Sequence, residues 1–120
     1  MVTDLLAGIP VDDYETARAW YEIFAGRPPD AEPAADEAIW RLAGTHGIHV
    51  FRDDARAGSA LVTLVVDSLE RFVGFIAMRG IAPDSIDVVP GAGRTATLAD
   101  PAGNTFKLRE QSVAGDAPGG

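Results

Sequence analysis

The sequence contains no cysteine and only two histidines. It therefore has no disulfide framework, no thiolate nucleophile and no zinc-thiolate site. The ten Lys and Arg are scattered without a basic run, against 18 Asp and Glu, for a net charge of −8. A duplex binder needs a basic stripe to displace counterions, so nucleic acid is excluded as the main partner. No apolar stretch approaches the roughly 20 residues of a membrane span. The opening Met1-Val2-Thr3-Asp4 has neither the basic start nor the apolar run of a leader peptide. These absences lead to the expectation of a cytoplasmic protein with no membrane partner. What is present is an apolar fraction of 47% in 120 residues, enough for one globular core.

One pattern occurs twice. Val11-Asp12-Asp13-Tyr14-Glu15 and Val66-Asp67-Ser68-Leu69-Glu70 each follow an apolar run, Leu5 to Val11 and Ala60 to Val66. The offset, 66 − 11 = 55, is near half the chain length. Such a period indicates two similar modules packed into one unit, with an active site between them.

Each apolar run reads as a strand (4–11 and 60–66) and each acidic start as a helix N-terminus. Asp12 or Asp13 is the expected cap of the first helix, and Asp12 with Glu15, like Asp67 with Glu70, has capping-box spacing. Tyr14, Ala17, Tyr21 and Phe24 form one helical stripe, and Leu69, Phe72, Val73 and Ile76 form the other. Gly26 and Gly80 are the expected helix ends. Residues 27–36, with Pro28, Pro29 and Pro33, read as a loop or ragged edge strand. Strands are expected at 37–43 and 48–52, then at 85–89, 94–99 and 105–109. Residues 53–58 cross between modules. Gly91-Ala92-Gly93 is read as a turn only. Asp100-Pro101-Ala102-Gly103-Asn104 has the residues of a tight turn, with Pro presetting φ, Asp and Asn bonding local backbone, and Gly permitting positive φ. Residues 111–120 are expected to be a flexible tail.

The expected fold is α+β. Two βαβββ modules, 1–57 and 58–110, form a single domain whose curved eight-stranded sheet makes a half-barrel cup with the helices outside. This order, the Val-Asp helix starts, the helical Trp20-Tyr21 pair and the Asp-Pro-Ala-Gly-Asn turn before the last strand resemble the vicinal oxygen chelate proteins. These include glyoxalase I, bleomycin-resistance proteins, extradiol dioxygenases and glyoxalase-like proteins. The resemblance covers about residues 4–110.

In metal-dependent members of that superfamily, four side chains, typically His or Glu, hold a divalent ion on the cup floor. The resemblance and the repeat together put Leu6, Val50, Leu61 and Lys107 at those places. Leu and Val carry no donor atom, and a protonated Lys has no lone pair. The resemblance thus implies the fold without the metal chemistry, and no cofactor is expected. A slip of one residue would put His49 in place of Val50, which still supplies a single ligand. With Val50 inward, His49 and Phe51 point away from the cup.

The floor is then apolar, with Lys107 and the hydroxyl of Thr63 as polar points. Lys107 is the candidate catalytic or anion-binding group, against the plainer reading that its stem packs and its head reaches water. Trp40 either stacks on a flat ligand or belongs to the core. Trp20 and Tyr21 are read as core, His46 as exposed in a turn, and Arg41 as a surface residue. The resulting expectation is a metal-free glyoxalase-like protein that binds a small, largely apolar organic molecule through Leu6, Val50, Leu61, Thr63, Lys107 and Trp40. The alternatives are a metal-dependent lyase, isomerase or dioxygenase with displaced ligands, and a metal-free enzyme using Lys107. The resemblance leaves a homodimer open.

Overall fold

The computed structural model of the protein describes residues 1–91 and 93–111. The tail expected from residue 111 onward lies, beyond Gln111, outside them, as does Ala92 in the Gly91-Ala92-Gly93 turn. The first module is β1 (Leu6–Val11), α1 (Tyr14–Ala25), β2 (Ala31–Ala34), β3 (Glu37–Ala43) and β4 (His46–Arg52). The second is β5 (Leu61–Val66), α2 (Leu69–Met78), β6 (Ser85–Val89), β7 (Gly93–Ala99) and β8 (Thr105–Glu110). The expected βαβββ order is present in both. Among the described residues no helix is long and apolar enough to cross a membrane.

The helices start one residue later than the capping-box spacing suggests. Asp13, not Asp12, caps α1, accepting from the Thr16 N–H at 3.1 Å and the Thr16 hydroxyl at 2.8 Å. Ser68, not Asp67, caps α2, accepting from the Arg71 N–H at 3.3 Å. In both cases the residue beside the first helical turn has the extended backbone that aims its oxygen at the N3 amide.

The strands divide into two four-stranded sheets, ordered β1-β4-β3-β2 and β5-β8-β7-β6. β1 runs parallel to β4 and β5 parallel to β8, while the remaining pairs are antiparallel. The single eight-stranded sheet expected from the sequence is therefore corrected to two, because β1 and β5 are both edge strands and no ladder joins them. Side chains join the modules instead. Tyr21 of α1 lies 5.8 Å from Trp40 in its own module and 5.9 Å from Phe106 in the other. Phe24 lies 5.5 Å from Phe106 and 5.7 Å from Phe72. The helix-covered faces of both sheets thus share one core, with α1 at the junction.

A buried polar knot closes that junction. Asp100 accepts from the Tyr21 hydroxyl at 2.7 Å and from the Asn104 side chain at 2.8 Å. The same Asn104 amide donates to the Pro10 carbonyl at 2.8 Å and accepts from the Ala60 N–H at 2.9 Å. Burial, reinforced by the Asp100 charge, pushes the Tyr21 phenol well above its ordinary range. The crossing segment packs against the same turn. At Gly58, φ is +83° and an added Cβ would lie 2.5 Å from the Ala102 carbonyl oxygen, so only glycine fits there.

Candidate functional site

Partners in a ladder share a face, so the register shows which side chains leave the core. Ile9 pairs with Val50, and Val50 with Ala38; all three are fully buried on the helix side. Gly8 pairs with His49, and His49 with Ile39, on the opposite, open side. In the second module Thr63 pairs with Lys107, and Lys107 with Thr97. The counterpart of Lys107 is therefore His49. The assignment of Val50 to the open floor is corrected: its side chain is 0% exposed beneath α1. His49 and Phe51, expected to point away from the cup, lie instead on its open side.

Trp40 is likewise corrected from possible pocket lining to core. It is 0% exposed, and its indole N–H donates to the Arg27 carbonyl at 3.0 Å. Leu61, by contrast, is 66% exposed on the open side of β5. Lys107 is exposed between the two threonines. Leu6 is half-buried. His46 is exposed, as expected, and Trp20 stacks on Phe24 at 5.2 Å.

The four floor positions are thus Leu6, His49, Leu61 and Lys107. Only His49 offers a metal donor, and its Nε2 lies 2.9 Å from a Glu37 carboxylate oxygen. Among the described residues no group of three or more His, Asp or Glu gathers to hold an ion. This donor set does not fit the divalent metal of the superfamily's metal-dependent members.

Concavity lies elsewhere, along β5 where the modules meet. A cavity of about 650 Å³ is lined by the C-terminal end of α1, the end of β3, residues 63–66 of β5, and α2. Phe24, Val65, Phe72 and Phe75 supply its apolar walls, and Arg27 and Arg79 its cations. A second cavity of about 290 Å³ continues from it, sharing Leu42, Ala43, Thr63 and Leu64 and reaching Leu6. Of the residues expected to bind a ligand, the structure brings Leu6 and Thr63 into this groove. Val50, Leu61, Lys107 and Trp40 line neither cavity.

Arg79 and Phe75 are not evident in the sequence as site residues. Phe75 interrupts the buried stripe of α2 and is 52% exposed; a lone aromatic off the stripe is the one signal available. Arg79 reaches across to α1, donating from Nε to the Ile23 carbonyl at 2.6 Å and from Nη2 to the Phe24 carbonyl at 3.0 Å. Gly26 makes room for it, since a Cβ there would stand 3.2 Å from the guanidinium carbon.

No family model and no curated protein matches the chain. Solved structures do. A glyoxalase/bleomycin resistance protein from Catenulispora acidiphila is 28% identical with a TM-score of 0.86, over 92% of this chain and 100% of that one. An antibiotic-binding protein from Streptomyces is 24% identical with a TM-score of 0.75, over 93% and 98%. A lactoylglutathione lyase from Agrobacterium tumefaciens is 14% identical with a TM-score of 0.72, over 92% of each chain. With the paired βαβββ modules, these likenesses show that the chain has the vicinal oxygen chelate fold, shared with glyoxalase/bleomycin resistance proteins and lactoylglutathione lyase.

Proposed function

We propose that this chain is a metal-free, cytoplasmic glyoxalase-like protein that binds a small, largely apolar organic molecule in the groove between its modules. The observation that carries the reading is the groove of about 650 Å³, walled by aromatic and aliphatic side chains from both modules. That volume lies within the range of small-molecule sites, as does the balance of apolar walls and few polar groups. Neighbours of the same fold include an antibiotic-binding protein and a bleomycin-binding protein complexed with bleomycin. A role without metal is supported by the chemistry of Leu6, Leu61 and Lys107, which supply no donor beside His49. Lys107 stands on the open side of β8, away from both cavities, so it is not assigned a part in this binding. Two copies would pair through the open sheet faces, where Leu61 is exposed.

The test is a thermal-shift screen of small aromatic and aliphatic compounds on the wild type and on Val65→Trp, which fills the groove from an exposed position. A compound at a hundred times its Kd stabilises the fold by about 2.7 kcal/mol. Stabilisation of the wild type alone supports the reading. Equal stabilisation of both proteins, or of neither, overturns it. Stoichiometric divalent metal in the purified protein would overturn its metal-free part. Light scattering on the wild type and Leu61→Glu checks the pairing: a dimer that persists in the variant removes the open face as its contact.

A further inference from the structure

We infer that the groove selects apolar molecules carrying an anionic head, a carboxylate in particular, received by Arg79. This rests on the groove being the ligand site. The chain carries 18 acidic residues against ten basic ones, yet among the described residues no acid lines the larger cavity, while Arg27 and Arg79 do. In a protein of net charge −8, a wall with two cations and no acid lowers the repulsion that an anion meets.

The two arginines differ in what remains for a ligand. Arg27 is paired with the Asp30 carboxylate at 3.1 Å and also donates to the Arg41 carbonyl. Arg79 forms no ion pair among the described residues. Its two bonds to α1 carbonyls use Nε–H and one Nη2–H. A guanidinium has five N–H donors, so three remain, two of them on Nη1. The carbonyls fix the side chain and offset part of its charge, since a helix C-terminus carries only about half a negative charge. The planar fork that remains matches a carboxylate. Phe24, Phe72, Phe75 and Val65 would cover the apolar body.

The test compares three probes of one apolar body by titration calorimetry: 2-naphthylacetate, its methyl ester, and 2-(2-naphthyl)ethylamine. The carboxylate is expected to bind about fivefold tighter than the ester, the gain of a partly exposed ion pair, with the amine weaker still. The advantage should vanish at high salt and in Arg79→Gln, and should survive in Arg27→Gln. The salt series on the wild type needs no variant, so it decides even if Arg79→Gln folds poorly. Equal binding of acid and ester, or a preference retained in Arg79→Gln, overturns the head-group assignment and leaves the groove reading standing. Failure of all three naphthyl probes overturns both. Carboxylate affinity that falls as the protein is concentrated into dimers gives the groove to a second copy and overturns the inference.

Discussion

Asn104→Ala removes a side chain that is 0% exposed and holds both modules at once. Its amide nitrogen donates to Pro10 in the first module and to Asp100 in the second, and its oxygen accepts from Ala60. Truncation orphans the part-buried Ala60 N–H, at about 1–3 kcal/mol, and leaves the Pro10 carbonyl with the Gly58 N–H at 3.3 Å as its remaining partner, at about 0.5–1.5 kcal/mol for the bond lost. Asp100 is less exposed to the loss, because it keeps the Tyr21 hydroxyl and the N–H groups of Ala102 and Asn104. The sum is about 1.5–4.5 kcal/mol, a large part of the roughly 5–15 kcal/mol that holds a domain of this size. At roughly 4 °C per kcal/mol, the melting temperature should fall by about 6–18 °C. Urea unfolding followed by tryptophan fluorescence measures it directly, since Trp40 is buried in the shared core. The slope against urea should stay the same, as the truncation changes a native contact and not the surface exposed on unfolding. A loss below about 1 kcal/mol at unchanged slope would refute the assignment of module coupling to this knot.

Tyr21→Phe removes one charge-assisted hydrogen bond to Asp100 and should cost about 1.5–3 kcal/mol; a double-mutant cycle with Asn104→Ala should show coupling, because both bond Asp100. Both tyrosines have raised folded pKa values, from burial first and nearby acids second. Above pH 10 the unfolded chain therefore holds fewer protons than the folded one, and stability falls as pH rises. In Tyr14→Phe, where Tyr21 is the one phenol left, phenolate absorbance should accordingly appear together with the loss of near-ultraviolet dichroism, and its appearance at pH 10 while that variant is folded would contradict the burial of Tyr21. The Asp13 carboxyl is held below its usual range by the Thr16 N–H and hydroxyl. Its cap is thus in force above the unfolded pKa of about 4 and fades as pH falls through the lower folded value, so acid unfolding should begin at a higher pH in the wild type than its shape predicts for Asp13→Asn, whose cap does not titrate. Gly58→Ala should cost about 1–3 kcal/mol from the left-handed backbone alone, and more from the contact with the Ala102 carbonyl; a neutral result in urea would mean that the crossing segment can shift away.

Much of the fold was legible because it is written locally. Alternation in the strands, the stripes of Tyr14-Ala17-Tyr21-Phe24 and Leu69-Ile76, and the Asp-Pro-Ala-Gly-Asn turn all act over a few residues. The turn forms as its chemistry requires, with the Asp100 carboxylate accepting from the N–H groups of Ala102 at 2.9 Å and Asn104 at 2.8 Å. The same two residues also make the junction with Pro10 and Tyr21, and nothing local announces partners 94 and 79 positions away. The groove is harder still, since its lining comes from α1, β3, β5 and α2, and its shape follows from how the two modules pack.

The error at Val50 has a definite origin. Gly8 pairs with His49 and Thr63 with Lys107, so the first strands are offset by 63 − 8 = 55 and the last by 107 − 49 = 58. The third strands already carry the larger value, since Ile39 faces His49 and Thr97 faces Lys107, giving 97 − 39 = 58. The change therefore arises between the first and third strands of each module. There α1 has 12 residues and α2 has 10, while β2 has four and β6 has five. The stretch between helix and third strand is the least patterned part of the first module, rich in proline and broken by a register shift between Ala31 and Ala34. Matching the last strands by their apolar pattern alone leaves a one-residue ambiguity, and a one-residue slip exchanges every inward side chain for an outward one. The exchange mattered here because it hid His49, the only metal-capable donor among the floor positions. Restoring it adds one imidazole, bonded to Glu37, to floor positions otherwise occupied by Leu6, Leu61 and Lys107, and a single nitrogen donor among two leucines and a lysine does not match the ligand set of a divalent ion.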